Sequence, residues 1–204
     1  MPLGTQEFKK YLKVSQGKIR LEVQEDTEGA EKRKVTNPST GEIKIKYELT
    51  WTYIVGKITN IELRESDQYG NSWSVEVDDG KGTFNLQLND STKHSDDLLG
   101  RLPNIDFSKE VKISVYPSGQ KKQATGVAIY QGEDKIPNFF IAKNGDEWIS
   151  KNGFPELKKD LDKDDYKIHM IKVRKFLKKY TLENVIPRLQ QPEKAVVEDD
   201  DLPF

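Results

Sequence analysis

The chain has 204 residues, enough for one substantial domain with extensions, and its balance of 34% apolar to 33% charged residues leaves a generous solvated surface. With no cysteine and only two histidines, His94 and His169, disulfides, thiol nucleophiles, zinc ribbons and iron–sulfur clusters are excluded. No run approaches the roughly 18 apolar residues of a membrane span, and Met1 to Lys13 lacks the apolar stretch of a secretion signal, so the chain reads as soluble and cytoplasmic.

From the N-terminus, Glu7 to Val14 carries Phe8, Tyr11, Leu12 and Val14, compatible with a short amphipathic helix or an irregular lead-in. Lys18 to Gln24 alternates Ile19, Leu21 and Val23 with polar residues, the period of a half-buried strand. Lys32 to Thr36 and Glu42 to Leu49 flank a run of turn formers, Asn37 to Gly41, and predict a hairpin. From Tyr47 to Val55 the apolar residues fall on alternate positions, with Trp51 and Tyr53 read as core. Beyond Gly56 they resume out of phase at Ile58, Ile61 and Leu63, as in a long strand that bends and serves two sheets. Trp73, Val75 and Val77, then an Asp79–Gly80 turn, then Phe84, Leu86 and Leu88 complete a three-stranded meander. Thr92 to Leu102 predicts a short helix closed by Pro103. Two more strands follow, on Val111, Ile113 and Val115 and on Thr125, Val127 and Ile129, with a basic loop between them.

Three meander strands, a helix and two further strands is the order of the OB-fold, the five-stranded Greek-key barrel, and no part of the pattern requires a parallel sheet. The expected class is mainly β: an N-terminal strand and hairpin extension over 1–46, the barrel over 47–131, a C-terminal extension over 132–191 and a disordered acidic tail over 192–204. Within the third segment Lys135 to Trp148 forms an added strand or packed loop. Tyr166, Met170, Val173, Leu177 and Tyr180 then recur at helical steps, and Thr181 to Leu189 continues the helix.

Net charge is −1, but it is segregated. Setting aside the five acids and one lysine beyond Gln191 leaves 32 basic against 29 acidic residues, so the tail reverses the sign of the body. Its final residues, Asp199, Asp200, Asp201, Leu202, Pro203 and Phe204, join a solvating acidic run to a restricted backbone and an aromatic ring, which an apolar pocket rimmed by Arg or Lys would capture. A tail that served only solubility gives no reason for the Leu-Pro-Phe finish.

This tip resembles that of the bacterial single-stranded DNA-binding proteins, which end in aspartates, an aliphatic residue, proline and phenylalanine. A basic helix close to the tip, in place of a long Gly- and Gln-rich linker, makes the chain more similar to the compact single-stranded DNA-binding proteins of bacteriophages, for which the compartment would be the host cytoplasm. The resemblance implies a non-enzymatic protein that coats single-stranded DNA in replication, recombination and repair and recruits partner proteins through residues 199–204, with no cofactor, metal or membrane; self-association stays open.

Sequence-tolerant binding of single strands requires a basic groove and aromatic faces. The expected DNA contacts are Arg64 and Tyr69 in the first meander loop, Lys81 in the second, Lys121 and Lys122 in the later basic loop, and Lys112, Tyr116 and Tyr130 on strand faces opposite the buried alternation. Trp73 and Phe84 are in phase with core residues and serve either burial or stacking. The hairpin bases Lys32, Arg33, Lys34, Lys44 and Lys46, and the helix bases Lys167, Lys172, Arg174, Lys175, Lys178 and Lys179, are either contacts or solvated faces. Tail and DNA would compete for one basic surface, so deleting 193–204 should tighten DNA binding at low salt. Two other classes stay open: an OB-fold recombination mediator or adaptor that does not itself coat DNA, and a divalent-metal nuclease using Asp78 and Asp79, Asp96 and Asp97, or Asp164 and Asp165. Those pairs equally suit a turn and two helix starts.

Overall fold

The computed structural model describes residues 10–37, 40–68, 70–116, 126–156 and 161–190. In chain order the elements are β1 (Lys10–Ser15), β2 (Lys18–Val23), β3 (Glu31–Thr36), β4 (Ile43–Trp51), β5 (Tyr53–Arg64), β6 (Ser72–Asp78), β7 (Thr83–Asn89) and α1 (Lys93–Leu99). There follow β8 (Val111–Tyr116), β9 (Gly126–Gln131), β10 (Asp134–Lys135), β11 (Ile141–Asn144), β12 (Glu147–Ser150), α2 (Lys163–Tyr180) and α3 (Ile186–Leu189). A 3-10 turn at Leu102–Asn104 follows α1, and a π-helical turn at Thr181–Val185 joins α2 to α3. Ten strands form one sheet in the order β10-β9-β8-β5-β6-β7-β1-β2-β4-β3, and β11 and β12 form a separate hairpin. No described helix is long and apolar enough to cross a membrane.

Only Thr52 separates β4 from β5, so the two make one ribbon. Its first half pairs with β2 and β3; its second half pairs with β8 over Tyr53 to Gly56 and with β6 from Lys57 onward. A register shift between Ile58 and Asn60 accounts for the step of three residues from inward Ile58 to inward Ile61. Gly56 sits where β5 passes from β8 to β6. A Cβ there would lie 2.3 Å from the Asp78 carbonyl oxygen, so only glycine permits the approach.

One expectation is corrected, and a second, a mainly β chain built on a barrel, is met in its β content and C-terminal helix alone. The N-terminal lead-in is neither helical nor irregular: Lys10–Ser15 is a strand, and it runs parallel to β7. Leu12 alternates with exposed Tyr11 and Lys13 and is buried, and the chain then reverses through Gln16 and Gly17, both at positive φ, into β2. Nor is there a closed five-stranded barrel among the described residues, because β9 pairs with β8 and β10 and no ladder joins it to β7, whose free edge β1 takes. Period alone cannot identify which strand claims an open edge. Following the pairings from β5 through β6, β7, β1 and β2 nevertheless leads back to β4, the other half of the same ribbon.

The core lies inside this curl. Ile58 and Ile61, Trp73, Val75 and Val77, Leu86 and Leu88, Ile113 and Ile129 meet Leu12, Ile19 and the α1 leucines. A second aromatic mass continues it, with Phe140 packed 4.8 to 5.6 Å from the rings of Phe139, Phe154, Phe176 and Tyr180. Polar contacts fasten the helices over it. The Asp162 carboxylate accepts from the Asp164 and Asp165 amides at the start of α2. Arg174 donates to the buried Asp96 carboxylate at 3.2 and 3.3 Å, and Arg188 donates to the carbonyls of Pro103 and Ile105.

Candidate functional site

Where the ribbon turns at Thr52, the sheet leaves an open cleft of about 490 Å³. Its floor is apolar, with Leu12, Ile19 and Ile54. Trp51, Tyr53 and Val55 from the ribbon, Phe84 from β7, and Lys81 and Asp79 from the β6–β7 turn line the rest, with Glu110 at the start of β8. The turn is fastened by the Asp79 carboxylate, which accepts from the Lys81 and Gly82 amides at 2.9 Å each. Trp51 is 42% exposed and Tyr53 51%, large values for side chains of this size.

Cations lie against these rings. Lys112 Nζ is 4.5 Å from the Tyr53 ring centroid, and Lys10 Nζ is 5.8 Å from that of Phe84. The register extends the surface beyond the cleft: Val55, Lys112 and Tyr130 form one cross-strand row, and Tyr53, Ser114 and Ala128 the next. Tyr116, two residues beyond Ser114 on β8, carries the same face toward α1 and is 36% exposed.

The structure places Lys81 and Phe84 in the cleft, Lys112 against Tyr53 and beside Tyr130, and Tyr116 farther along the same face of β8, and it separates two other predicted contacts. Arg64 lies at the far end of β5, its guanidinium 5.6 Å from the Tyr11 ring centroid. Trp73 is fully buried, and its indole N–H donates to Asp90 at 2.7 Å, so it presents no face for stacking. Tyr69, Lys121, Lys122 and residues 199–204 lie outside the described residues.

Trp51 and Tyr53, expected in the core, are instead both exposed. Trp51 pairs with buried Ile19 and shares its face, but the ribbon leaves β2 one residue later and nothing described covers the ring. The phase change itself held the signal: Ile54, Gly56 and Ile58 point inward along β5, so Tyr53 and Val55 must point out.

The basic hairpin is largely engaged with its own sheet. Glu48 is buried and accepts from Arg20 at 2.8 Å and from Arg33 at 2.6 and 2.7 Å. The Arg33 hydrogen bonds, with those of Arg20, hold its carboxyl below the usual range despite burial. Lys46 pairs with Glu22 and Lys44 with Glu42, while Lys32 lies over the Tyr47 ring. The paired acids are similarly committed. Asp79 holds a turn, Asp164 and Asp165 start α2, and Asp97 pairs with Lys93 and accepts from the Val127 amide. Burial raises the Asp96 carboxyl, against the lowering pull of Arg174. Among the described residues no group of three or more His, Asp or Glu side chains is arranged to hold a metal ion.

Comparisons with protein-family models, with curated proteins and with solved structures return no match to this chain.

Proposed function

We propose that this protein binds single-stranded DNA without strong sequence preference, stacking bases on Trp51, Tyr53 and Phe84 while Lys10, Lys81 and Lys112 meet the phosphates. The observation that carries the reading is the pair Trp51 and Tyr53, two large rings left open on one ribbon with a lysine over the second. Stacking contributes about 1–3 kcal/mol per base and tolerates any sequence, because every base has a π face. Tyr116 and Tyr130 extend the track along β8 and β9. Lys121 and Lys122 belong to the segment joining those strands and would add charge at its end.

The fold supports this as an open variant of the OB-fold. The β5-β6-β7 meander, α1 and then β8-β9 follow that order, and the long ribbon divides its pairing as the first strand of such a barrel does; the departure is the insertion of β1 beside β7. Residues 199–204 act in this reading as the handle for replication and repair proteins, their acids and Phe204 suiting a basic apolar pocket.

The test is binding of the full chain to a fluorescent oligo-dT at two salt concentrations, with and without Mg²⁺. The expected result is a complex that weakens steeply as salt rises and leaves the oligonucleotide intact. An absence of complex would overturn the reading in favour of an adaptor, and Mg²⁺-dependent degradation in favour of a nuclease.

A further inference from the structure

The geometry points to a second docking surface, the outer face of α2, whose occupant is the acidic tail of the same chain. Ile168, Ile171, Lys172, Lys175, Lys179 and Leu182 follow one another at helical steps of three, one, three, four and three residues, forming a continuous stripe. All six are exposed, Ile168 and Ile171 by just over half. This differs from the helix's other bases. Arg174 and Lys178 are spent on Asp96 and Glu65, whereas Lys172, Lys175 and Lys179 make no ion pair with another described residue. No acid occurs anywhere from Ile168 to Leu182.

A stripe of three lysines and three aliphatics asks for an anion that also carries apolar groups. A DNA backbone would satisfy the lysines and leave the aliphatics wet. The tail answers both, with Glu193, Glu198, Asp199, Asp200 and Asp201 for the lysines and Leu202 and Phe204 for the aliphatics. Near Ile168 the stripe runs into a groove of about 260 Å³ walled by Pro155, Leu161 and Ile168, with Lys172, Glu156 and Asp165 among its polar groups. That volume suits one aromatic ring. The distance also fits: the twelve steps from Gln190 to Leu202 reach up to about 40 Å extended, against about 32 Å along a helix from Leu189 back to Ile168.

The stripe sets three lysines without a described ion-pair partner in one row, whereas one lysine, Lys81, lines the cleft. The tail thus rests apart from the cleft, and DNA need not displace it. The inference does not depend on the cleft binding DNA.

Because the chain has no cysteine, Val197→Cys gives a single site for a spin label on the full-length protein. Paramagnetic loss of amide signal is expected at Ile168, Ile171 and Lys175, unchanged by oligo-dT and absent from labelled chains mixed with unlabelled isotope-enriched ones. The triple change Lys172→Glu, Lys175→Glu and Lys179→Glu should restore the signals. So should Asp199→Asn, Asp200→Asn and Asp201→Asn in the tail, which alters none of the described residues. Loss centred on residues 51–55 and 81–84, loss between molecules, displacement by oligo-dT, or no loss at all would overturn the proposal.

Discussion

Two aromatic clusters in this protein have opposite fates. Around Phe140, four rings pack edge-on and stacked, Phe176 and Tyr180 among them coming from α2, and Phe140 itself is 1% exposed. At the cleft, Trp51 and Tyr53 stand at 42% and 51% with no described element above them. Residue type does not separate the two. What differs is whether a helix is clamped over the rings: Arg174, Lys178 and Arg188 each reach the body from α2 or α3 and shut the first cluster, while the turn of the ribbon at Thr52 leaves the second open. Closed rings contribute to stability and open ones are free to bind.

Substitution should split the clusters cleanly. Phe140→Ala removes the centre of the closed one and should cost about 3–5 kcal/mol in urea unfolding followed by circular dichroism. Trp51→Ala and Tyr53→Ala, exposed as they are, should each change stability by less than about 1 kcal/mol in the same assay. If the cleft variants cost as much as Phe140→Ala, the contrast collapses and the rings are core after all.

The wall of the open region can be broken next. Gly56→Ala places a methyl against the Asp78 carbonyl and forces β5 from β6, with an expected cost of about 1–3 kcal/mol and a loosened cleft. Cost without any change in near-ultraviolet circular dichroism would show that Gly56 does not shape the ribbon.

A smaller, pH-linked effect comes from His94, at the α1 end of the face that carries Tyr116. Burial pushes its imidazole below the ordinary value, against the raising effects of Asp97 and the Tyr116 backbone. Its buried Nε2 has no hydrogen-bond partner among the described residues. The unfolded chain therefore takes up the proton first, so stability is lost as pH falls through about 6.5 toward the folded value. Glu48 behaves differently, its carboxyl being depressed by Arg33 and Arg20. Its contribution persists to lower pH and fades only as pH falls below the ordinary carboxylate range. His94→Asn should flatten the stability profile between pH 5 and 7 and leave the acid loss in place; an unaltered slope near pH 6 would remove His94 from the account.

The strands that alternate cleanly, β2, β6, β7 and β8, were legible from period alone, and so was α2 from its helical steps. What was not legible depended on partners distant in sequence. Lys10–Ser15 became a strand because β7 had a free edge, and no local signal names that edge. Trp51 and Tyr53 kept the alternation of a buried strand, yet the ribbon changed partners between them. Tyr116 lies opposite the buried alternation of β8, as its phase predicts, because that strand pairs with β9 from Lys112 to Tyr116, whereas β9 is buried on both faces up to Ile129 and leaves Tyr130 half-buried. Sequence pattern reports sidedness and cannot report closure.

The most direct test of the open cluster is the affinity of the full-length chain and of the Trp51→Ala, Tyr53→Ala double variant for oligo-dT across a salt series. Loss of two stacking rings predicts binding weaker by at least about tenfold, with the salt slope unchanged because the lysines remain. Equal affinity of the two proteins would contradict the assignment of the cleft as the DNA-binding surface.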